Sequence, residues 1–224
     1  MNSKTVTYII LTSWLLLVSF LQPVMGNDIT SQEYQIKAAF LFNFLKFVEW
    51  PKSKTKDPNE PIIIGIIGEN VFKDDFDSIK NKSIEGKKVI VKQYKGLSEQ
   101  DNPSKEHPQI KAIRESHLLF ISPSEKIFTP NILGSVKEYG VLTVADYKGF
   151  LEAGGIINLI MAEKKVQFEI NMIAAKQAGI TIRSQLLRLA KKVIKQETSS
   201  ANINLPNIAQ RTTFFSLAMF MTSL

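Results

Sequence analysis

The 224-residue chain contains no cysteine and only two histidines. Without cysteine there can be no disulfide, zinc–thiolate site or cysteine nucleophile, so the fold depends on packing alone. His107 lies in a polar segment and His117 at the start of an apolar run, and neither has a second histidine at metal-ligand spacing. We therefore predict no metal site and no general base at either histidine.

The motifs that bind phosphate groups or create a nucleophilic serine are also missing. Gly65 and Gly68 flank the end of an apolar run, but they form neither G-x-G-x-x-G nor a Walker motif. Ser122 and Ser124 follow another apolar run without the G-x-S-x-G pattern of hydrolases. The acidic segment Asp74–Asp77 lacks the alternating ligands and the turn glycine of a calcium loop. The sequence predicts neither a catalytic constellation nor a cofactor, and hence a non-enzymatic protein.

The charge of the chain is positive but dispersed. Lysine and arginine number 28 against 21 acidic residues, which gives a formal net charge of +7. The lysines are scattered along the chain and form no basic stripe with interleaved aromatic residues. This pattern is typical of solvated loops and helix faces, and it predicts no nucleic-acid partner.

One long hydrophobic run lies at the amino terminus. Residues 1–26 have the layout of a secretory signal, with Lys4, an apolar stretch over Val6–Leu21, a break at Pro23 and a small residue at Gly26. We expect cleavage after Gly26, a periplasmic location and no stable membrane span afterwards. An uncleaved anchor is the alternative, because the stretch approaches the roughly 20 residues that a membrane helix requires.

Residues 27–195 are predicted to form one domain that opens with a helix. A capping box at Thr30–Glu33 favours its start, and Pro51 ends it, since the residue before a proline disfavours the helical region. Its apolar stripe is predicted to consist of Ile36, Phe40, Phe44 and Phe47.

Short apolar runs then alternate with helical segments. Strands are predicted at Ile62–Ile67, Lys88–Tyr94, Leu118–Ile121 and Val141–Ala145, and helices at Val71–Ile79, His107–Arg114 and from Thr129 to near Gly140. Two further runs with a three-residue connection predict an antiparallel hairpin, Gly155–Met161 and Lys165–Ile170. A short helix at Asn171–Ala178 and a last helix from an N-cap at Ser184 to Val193 complete the domain. The fold class predicted is a three-layer α/β/α sandwich with a mixed sheet, made of parallel core strands and the C-terminal hairpin.

The segment Asp146–Gly155 is the candidate binding loop. It begins where a parallel strand ends, the edge at which open α/β sheets usually bind ligands. Its two aromatic residues are of the kind that anchor interfaces, and its paired glycines allow close backbone approach. A tight structural turn into the hairpin is the alternative interpretation. The candidate partner-binding residues are Asp146, Tyr147, Phe150, Glu152, Gly154, Gly155, Glu169 and Asn171.

Four segments, in this order, carry a family resemblance: Lys37–Leu41, Phe47–Pro51, Gly154–Asn158 and Phe168–Asn171. With them, residues 35–193 closely resemble the YfiR-like family of small exported α/β proteins. The resemblance implies a periplasmic regulator in cyclic di-GMP or related signalling. Such a regulator binds the outward-facing domain of a membrane receptor enzyme, a diguanylate cyclase or a sensor kinase, and restrains it. Disulfides that many relatives carry are excluded in this cysteine-free chain.

Two questions stay open at the level of sequence. A periplasmic small-molecule-binding protein serving a transport or sensing partner is the alternative function. The oligomeric state is also open, with a homodimer among the alternatives.

Residues 196–224 lie beyond the resemblance and are expected to form a poorly ordered extension. They include a hydrophobic stretch, Thr213–Met221, that is too short to span a bilayer. This stretch is interpreted either as an interfacial or partner-docking segment or as an incidental extension of the reading frame.

Overall fold

A computed structural model describes residues 28–55, 57, 59–79, 82–97 and 109–195. The predicted signal segment 1–26, the extension 196–224 and His107 lie outside the described residues. No helix among the described residues is long and apolar enough to cross a membrane.

The described chain alternates short helices and strands. The α-helices are α1 Asp28–Phe44, α2 Ile110–Glu115, α3 Thr129–Val136, α4 Met172–Gln177 and α5 Ser184–Leu189, and the 3-10 helices are Leu45–Phe47, Asp75–Ile79 and Pro123–Phe128. The strands are β1 Val48–Glu49, β2 Ile62–Ile67, β3 Ser83–Ile84, β4 Lys87–Tyr94, β5 Leu118–Ile121, β6 Leu142–Ala145, β7 Ile157–Ala162, β8 Lys165–Asn171, β9 Thr181–Ile182 and β10 Lys192–Ile194.

Eight of these strands form one mixed sheet in the order β10-β8-β7-β6-β5-β2-β4-β3. The strands β7, β6, β5, β2 and β4 are mutually parallel where they are neighbours. The hairpin of β7 and β8 is antiparallel, with Ile157 opposite Ile170 and Ala162 opposite Lys165. The predicted parallel core with a C-terminal antiparallel hairpin is therefore confirmed.

Two apolar clusters cover the two faces of the sheet. Successive residues of β5 alternate between them, because side chains of a strand point to opposite faces: Phe120 belongs to the first cluster and Ile121 to the second. Helix α1 contributes Leu41 and Phe44 to the first cluster, and α3 contributes Ile132 to the second. These clusters make the fold the three-layer α/β/α sandwich predicted from the sequence.

The first helix differs from its prediction at its start, at its end and in part of its buried face. It ends at Phe44 rather than before Pro51, and the 3-10 helix Leu45–Phe47 and the strand β1 follow it. It includes Asp28, so the predicted capping box does not mark its beginning. Phe44 is buried as predicted, together with Ala38 and Leu41, whereas Ile36 is 43% exposed. Residues two positions apart in an α-helix lie about 200° apart around the axis, so Ile36 points away from the face that carries Ala38.

Two other predicted helices are wrong in whole or in part. The segment predicted as a helix over 71–79 consists of turns followed by the 3-10 helix Asp75–Ile79. The last predicted helix ends at Leu189, and Val193 lies in β10, which pairs with β8 in parallel. This strand satisfies backbone groups of β8 that a helix would have left unpaired. Ser184 is the first helical residue rather than the N-cap, which is Arg183.

Candidate functional site

The candidate site lies at the carboxyl edge of the parallel strands. Strands β5 and β6 are neighbours and are followed directly by Ser122 and Asp146. The Ser122 hydroxyl and the Asp146 Oδ1 atom are both buried, and neither has a hydrogen-bond partner among the described residues. Unpartnered buried polar atoms are uncommon in folded proteins, and here two of them lie at adjacent strand ends.

A buried ion pair joins this edge to helix α1. Lys37 Nζ lies 2.6 Å from Asp146 Oδ2, and the exposed fractions of the two side chains are 5% and 3%. The same ammonium group lies 2.6 Å from Glu33 Oε1, one helical turn earlier, whose side chain is 24% exposed. Burying a charge requires such pairing, because desolvation is otherwise very costly.

Tyr34 completes this group, which we name the charge cluster: Glu33, Tyr34, Lys37 and Asp146. The Tyr34 hydroxyl donates to Asp146 Oδ2 at 3.2 Å, and Lys37 Nζ lies 4.3 Å from the centre of the Tyr34 ring. Burial, followed by the nearby Asp146 carboxylate, raises the pKa of Tyr34 well above its usual range. The phenol therefore stays neutral and remains a donor. The hydrogen bond from Tyr34 to Asp146 holds the end of β6 against α1.

The predicted binding loop is a folded turn with one buried aromatic residue. Phe150 is fully buried and belongs to the second apolar cluster, so the expectation of an exposed anchor at this position is wrong. Its ring lies 5.6 Å from that of Tyr147 in an edge-to-face arrangement. A Cβ atom at Gly155 would overlap the Phe150 ring, which explains why the residue after Gly154 is a glycine. Apolar burial drives this ring inward even though the loop follows the end of a strand.

Tyr147 is half-buried and held by its hydroxyl. The hydroxyl lies 2.6 Å from the Thr129 Oγ1 atom at the start of α3. Burial, only partly offset by this hydrogen bond, raises the pKa of Tyr147 to about 12. The aromatic ring of Tyr147 thus connects the loop to α3 rather than standing free in solvent.

Asn171 ties the loop to the helix that follows β8. Its side-chain oxygen accepts from the backbone amides of Ile173 and Ala174, so it caps α4. Its side-chain nitrogen donates to the Leu151 carbonyl at 3.1 Å. Asn158 is buried, and its side-chain amide, with the nitrogen turned toward the acceptors, donates to the Tyr147 and Ala145 carbonyls at 3.2 Å.

The solvent-facing part of the loop is a short rim with an adjacent crevice. The rim consists of the exposed residues Lys148, Gly149, Glu152, Ala153 and Gly154. Ala153 and Gly154 also border a crevice of about 270 Å³ between α3 and α4, which is lined mainly by apolar side chains. Glu169 is half-buried in β8, opposite Asn158, and lies outside this rim. Of the predicted site residues, the structure therefore brings Glu152 and Gly154 to an accessible surface together.

His117 is buried at the opposite, amino-terminal edge of the sheet. Its Nδ1 atom accepts from the Ile63 backbone amide at 3.2 Å, and Trp50 donates to its carbonyl oxygen. Burial and then the charge of Lys54 lower the pKa of His117 to about 4, so the ring is neutral at physiological pH. These contacts give His117 a structural role at this edge of the sheet.

A cleft of about 560 Å³ opens beside His117. Basic and acidic side chains both line it, including Lys54, Arg114, Glu60 and Glu138. Burial lowers the pKa of Lys54 to about 8, and its ammonium group donates to the Arg114 carbonyl. Across the residues with described positions, no group of three or more histidine, aspartate or glutamate side chains is placed to hold a metal ion.

A model of the family described as YfiR/HmsC-like matches residues 34–191, well over half of the chain. The chain belongs to the YfiR/HmsC-like family. No curated protein sequence is significantly similar to it.

Two solved structures are similar to this chain at low sequence identity. A conserved domain protein from Vibrio cholerae O1 biovar eltor aligns with 71% of this chain and 60% of its own, at 14% identity and a TM-score of 0.50. The ABC domain in complex with L-Trp from Streptococcus pneumonia aligns with 72% of this chain and 60% of its own, at 14% identity and a TM-score of 0.48. The chain thus spans about 60% of the length of either structure.

Within this YfiR/HmsC-like domain, the sequence interpretation missed the partners of Asp146. Tyr34 and Lys37 follow Glu33 by one and four positions on α1, and Lys37 is followed directly by apolar residues in the segment Lys37–Leu41. A lysine on the inner face of a helix indicates a buried acidic partner, because it is almost never buried unpaired. That signal could have predicted an ion pair, although not the identity of its acid.

Proposed function

We propose that this protein is an exported, non-enzymatic regulator that binds the extracytoplasmic domain of a membrane receptor enzyme and restrains it. Membership of the YfiR/HmsC-like family is the observation that carries the proposal, because that family suggests regulation of diguanylate cyclase signalling rather than catalysis. The receptor would be a diguanylate cyclase or a sensor kinase. The signal-like segment 1–26 supports delivery of the protein to the periplasm, where it would meet such a domain.

The mechanism would be a difference in affinity for two receptor states. A regulator shifts a two-state receptor only by the difference between its binding free energies for those states. A rigid contact surface serves this purpose, since a flexible surface would adapt to both states and discriminate less between them. The charge cluster, the Tyr147–Thr129 hydrogen bond and the Asn171 contacts hold the loop in one conformation. We place the receptor contact at its rim and the adjacent crevice.

Gene deletion combined with surface variants tests the proposal. Deletion should raise the receptor's output, measured as cellular cyclic di-GMP if the receptor is a cyclase. Complementation with Glu152→Arg, a charge reversal on the exposed rim, should fail to restore the low output. Glu163→Arg, which reverses an exposed charge in the turn between β7 and β8, outside the rim, the crevice and the cleft, should restore it.

Both variants should reach wild-type levels in the periplasm, because neither side chain is buried. A deletion that changes no signalling output would contradict the regulatory function. Restoration by both variants would leave regulation intact and show that the rim is not the contact surface.

Small-molecule binding is a second candidate, favoured by the cleft beside His117. Its volume of about 560 Å³ falls in the range of ligand pockets, and its mixed charges would suit a small zwitterion. Native mass spectrometry of protein isolated from the periplasm tests this function. A bound small molecule that is lost in Lys54→Gln would support it, and a ligand-free spectrum would contradict it.

A further inference from the structure

Three exposed hydrophobic side chains converge on one side of the sheet. Ile36, Met161 and Leu189 are 43%, 50% and 68% exposed. They belong to α1, β7 and α5, which are distant in sequence. Scattered exposed hydrophobic residues are normal, but a group from separate elements at one place marks an interaction surface.

A groove of about 460 Å³ lies at the centre of this group. Phe40, Val166, Phe168 and Leu189 line it, together with Gln167 and Lys191. The Phe40 ring lies 5.7 Å from that of Phe168. Met161 is the direct cross-strand neighbour of Val166, so both point to the same side of the hairpin. Ile36 precedes Phe40 by one helical turn, and we name the whole surface the α1–β8 groove.

The described chain ends on the strand beside β8, beyond the carboxyl end of β8 rather than at the groove itself. The Lys191 amide donates to the Phe168 carbonyl at 2.9 Å, and β10 then runs parallel to β8 as far as Ile194, opposite Asn171. From Asn171 back to Val166 along β8 is about 16 Å, at ~3.3 Å per residue. The chain therefore leaves the domain within a short distance of an uncovered apolar surface.

The same chain contains an apolar segment, Thr213–Met221, on the carboxyl-terminal side of β10. In Thr213–Met221 every residue is apolar except Thr213 and Ser216. The connecting residues 196–212 include polar side chains and one proline. For a random-coil linker of the same length the root-mean-square span is roughly 23 Å, which exceeds the distance required. A tether that can reach its site gives an effective concentration in roughly the millimolar range, so weak apolar contacts suffice for docking.

We propose that the segment Thr213–Met221 docks in the α1–β8 groove of its own chain. The segment covers the apolar side chains of α1, β7 and α5, and the groove shields the segment's phenylalanines from water. This contact is independent of the rim of the binding loop and of the regulatory function proposed above. A second copy of the chain and a lipid surface are the competing occupants.

Cysteine cross-linking of the full chain tests the contact directly, because the protein has no cysteine of its own. Leu189→Cys is combined in turn with a cysteine at Phe214, Leu217 or Phe220, so that different docking registers are sampled. The matched control combines the same cysteines with Ile127→Cys, which replaces another exposed hydrophobic side chain, 71% exposed, outside the groove. Under a mild oxidant, at least one Leu189 pair should form an intramolecular disulfide about tenfold faster than its control.

Two outcomes would overturn the proposal. Equal rates for the Leu189 and Ile127 pairs would show that the segment samples the whole surface without docking. Disulfides that form between molecules, at a rate that rises with protein concentration, would assign the groove to a second copy.

Limited proteolysis supplies a test without engineered cysteines. Chymotrypsin cleaves after phenylalanine, and a docked segment resists cleavage. Leu189→Asp should release the segment and speed cleavage within Thr213–Met221 by about tenfold, whereas Ile127→Asp should leave the rate unchanged. Because both positions are exposed, neither variant threatens the fold. The same rate in both variants and the wild type contradicts docking, and protection that appears only with added anionic vesicles assigns the segment to lipid.

Discussion

Removing one member of the Lys37–Asp146 ion pair should destabilise the domain far more than removing both. Lys37→Met leaves a carboxylate that is 3% exposed, with one oxygen already unpartnered and only the Tyr34 hydroxyl on the other. Breaking a buried ion pair in this way typically costs ~3–5 kcal/mol. Asp146→Leu should cost less, about 3 kcal/mol, because Lys37 keeps Glu33 as a partner.

The double variant Lys37→Met/Asp146→Leu should lie within about 2 kcal/mol of the wild type. Replacing a buried ion pair by apolar residues of similar volume removes the attraction and the desolvation penalty together. The cost that remains comes from the lost partners of Glu33 and Tyr34. These two groups have access to solvent or to each other, so their loss is partly compensated.

Urea unfolding of the four proteins measures these differences. The midpoints give the free energies of unfolding provided that the slope of free energy against urea is unchanged. Repeating the series in 1 M salt is a control, since screening weakens exposed ion pairs much more than buried ones. If the double variant loses the sum of the two single losses, to within ~0.5 kcal/mol, the two residues are not coupled and the charge cluster has no structural role.

Three further perturbations test the burial of individual rings. Because burial lowers the pKa of His117 from 6.5 to about 4, the unfolded state binds the proton more readily, and stability should fall as pH drops from 6.5 to 4. The loss in free energy of unfolding should approach but not exceed about 3 kcal/mol, and it should disappear in His117→Gln. The same pH dependence of the melting temperature in the wild type and in His117→Gln would contradict this prediction. Phe150→Ala should cost ~3–5 kcal/mol in urea unfolding, since the ring is fully buried. Tyr147→Phe should cost only about 1 kcal/mol through its lost hydrogen bond to Thr129, and a smaller effect at Phe150 than at Tyr147 would show that the loop is not packed as described.

The positions of the central strands along the chain were predictable because they depend on local periodicity. The buried runs Ile62–Ile67 and Leu118–Ile121 are apolar on both faces, which is typical of central parallel strands. The hairpin followed from two strand-length runs with a short connection. The prediction was wrong at Val193, because a few apolar residues at the end of a chain segment fit a helix face as well as an edge strand.

The candidate site was harder to predict because its members are distant in sequence. Asp146 was identified from its place after a strand, but its partner Lys37 lies 109 residues earlier. No local pattern states which acid a buried lysine contacts. Phe150 shows the same limit, since an aromatic residue in a loop fits an interface anchor and a core side chain equally well until the packing is known.

The contacts of α1 determine the order in which this domain can be completed during synthesis. Helix α1 precedes its partners in the chain. Lys37 can form its ion pair only after Asp146 has been synthesised, and Phe40 and Phe44 can pack only after Phe168 in β8 has been synthesised. Contacts of such long sequence separation slow folding, since the loop between them has to close before they contribute. An incomplete chain that stops before β8 would therefore expose the apolar side of α1 to other proteins. The domain cannot be divided into an amino-terminal half that folds first and a carboxyl-terminal half that joins it.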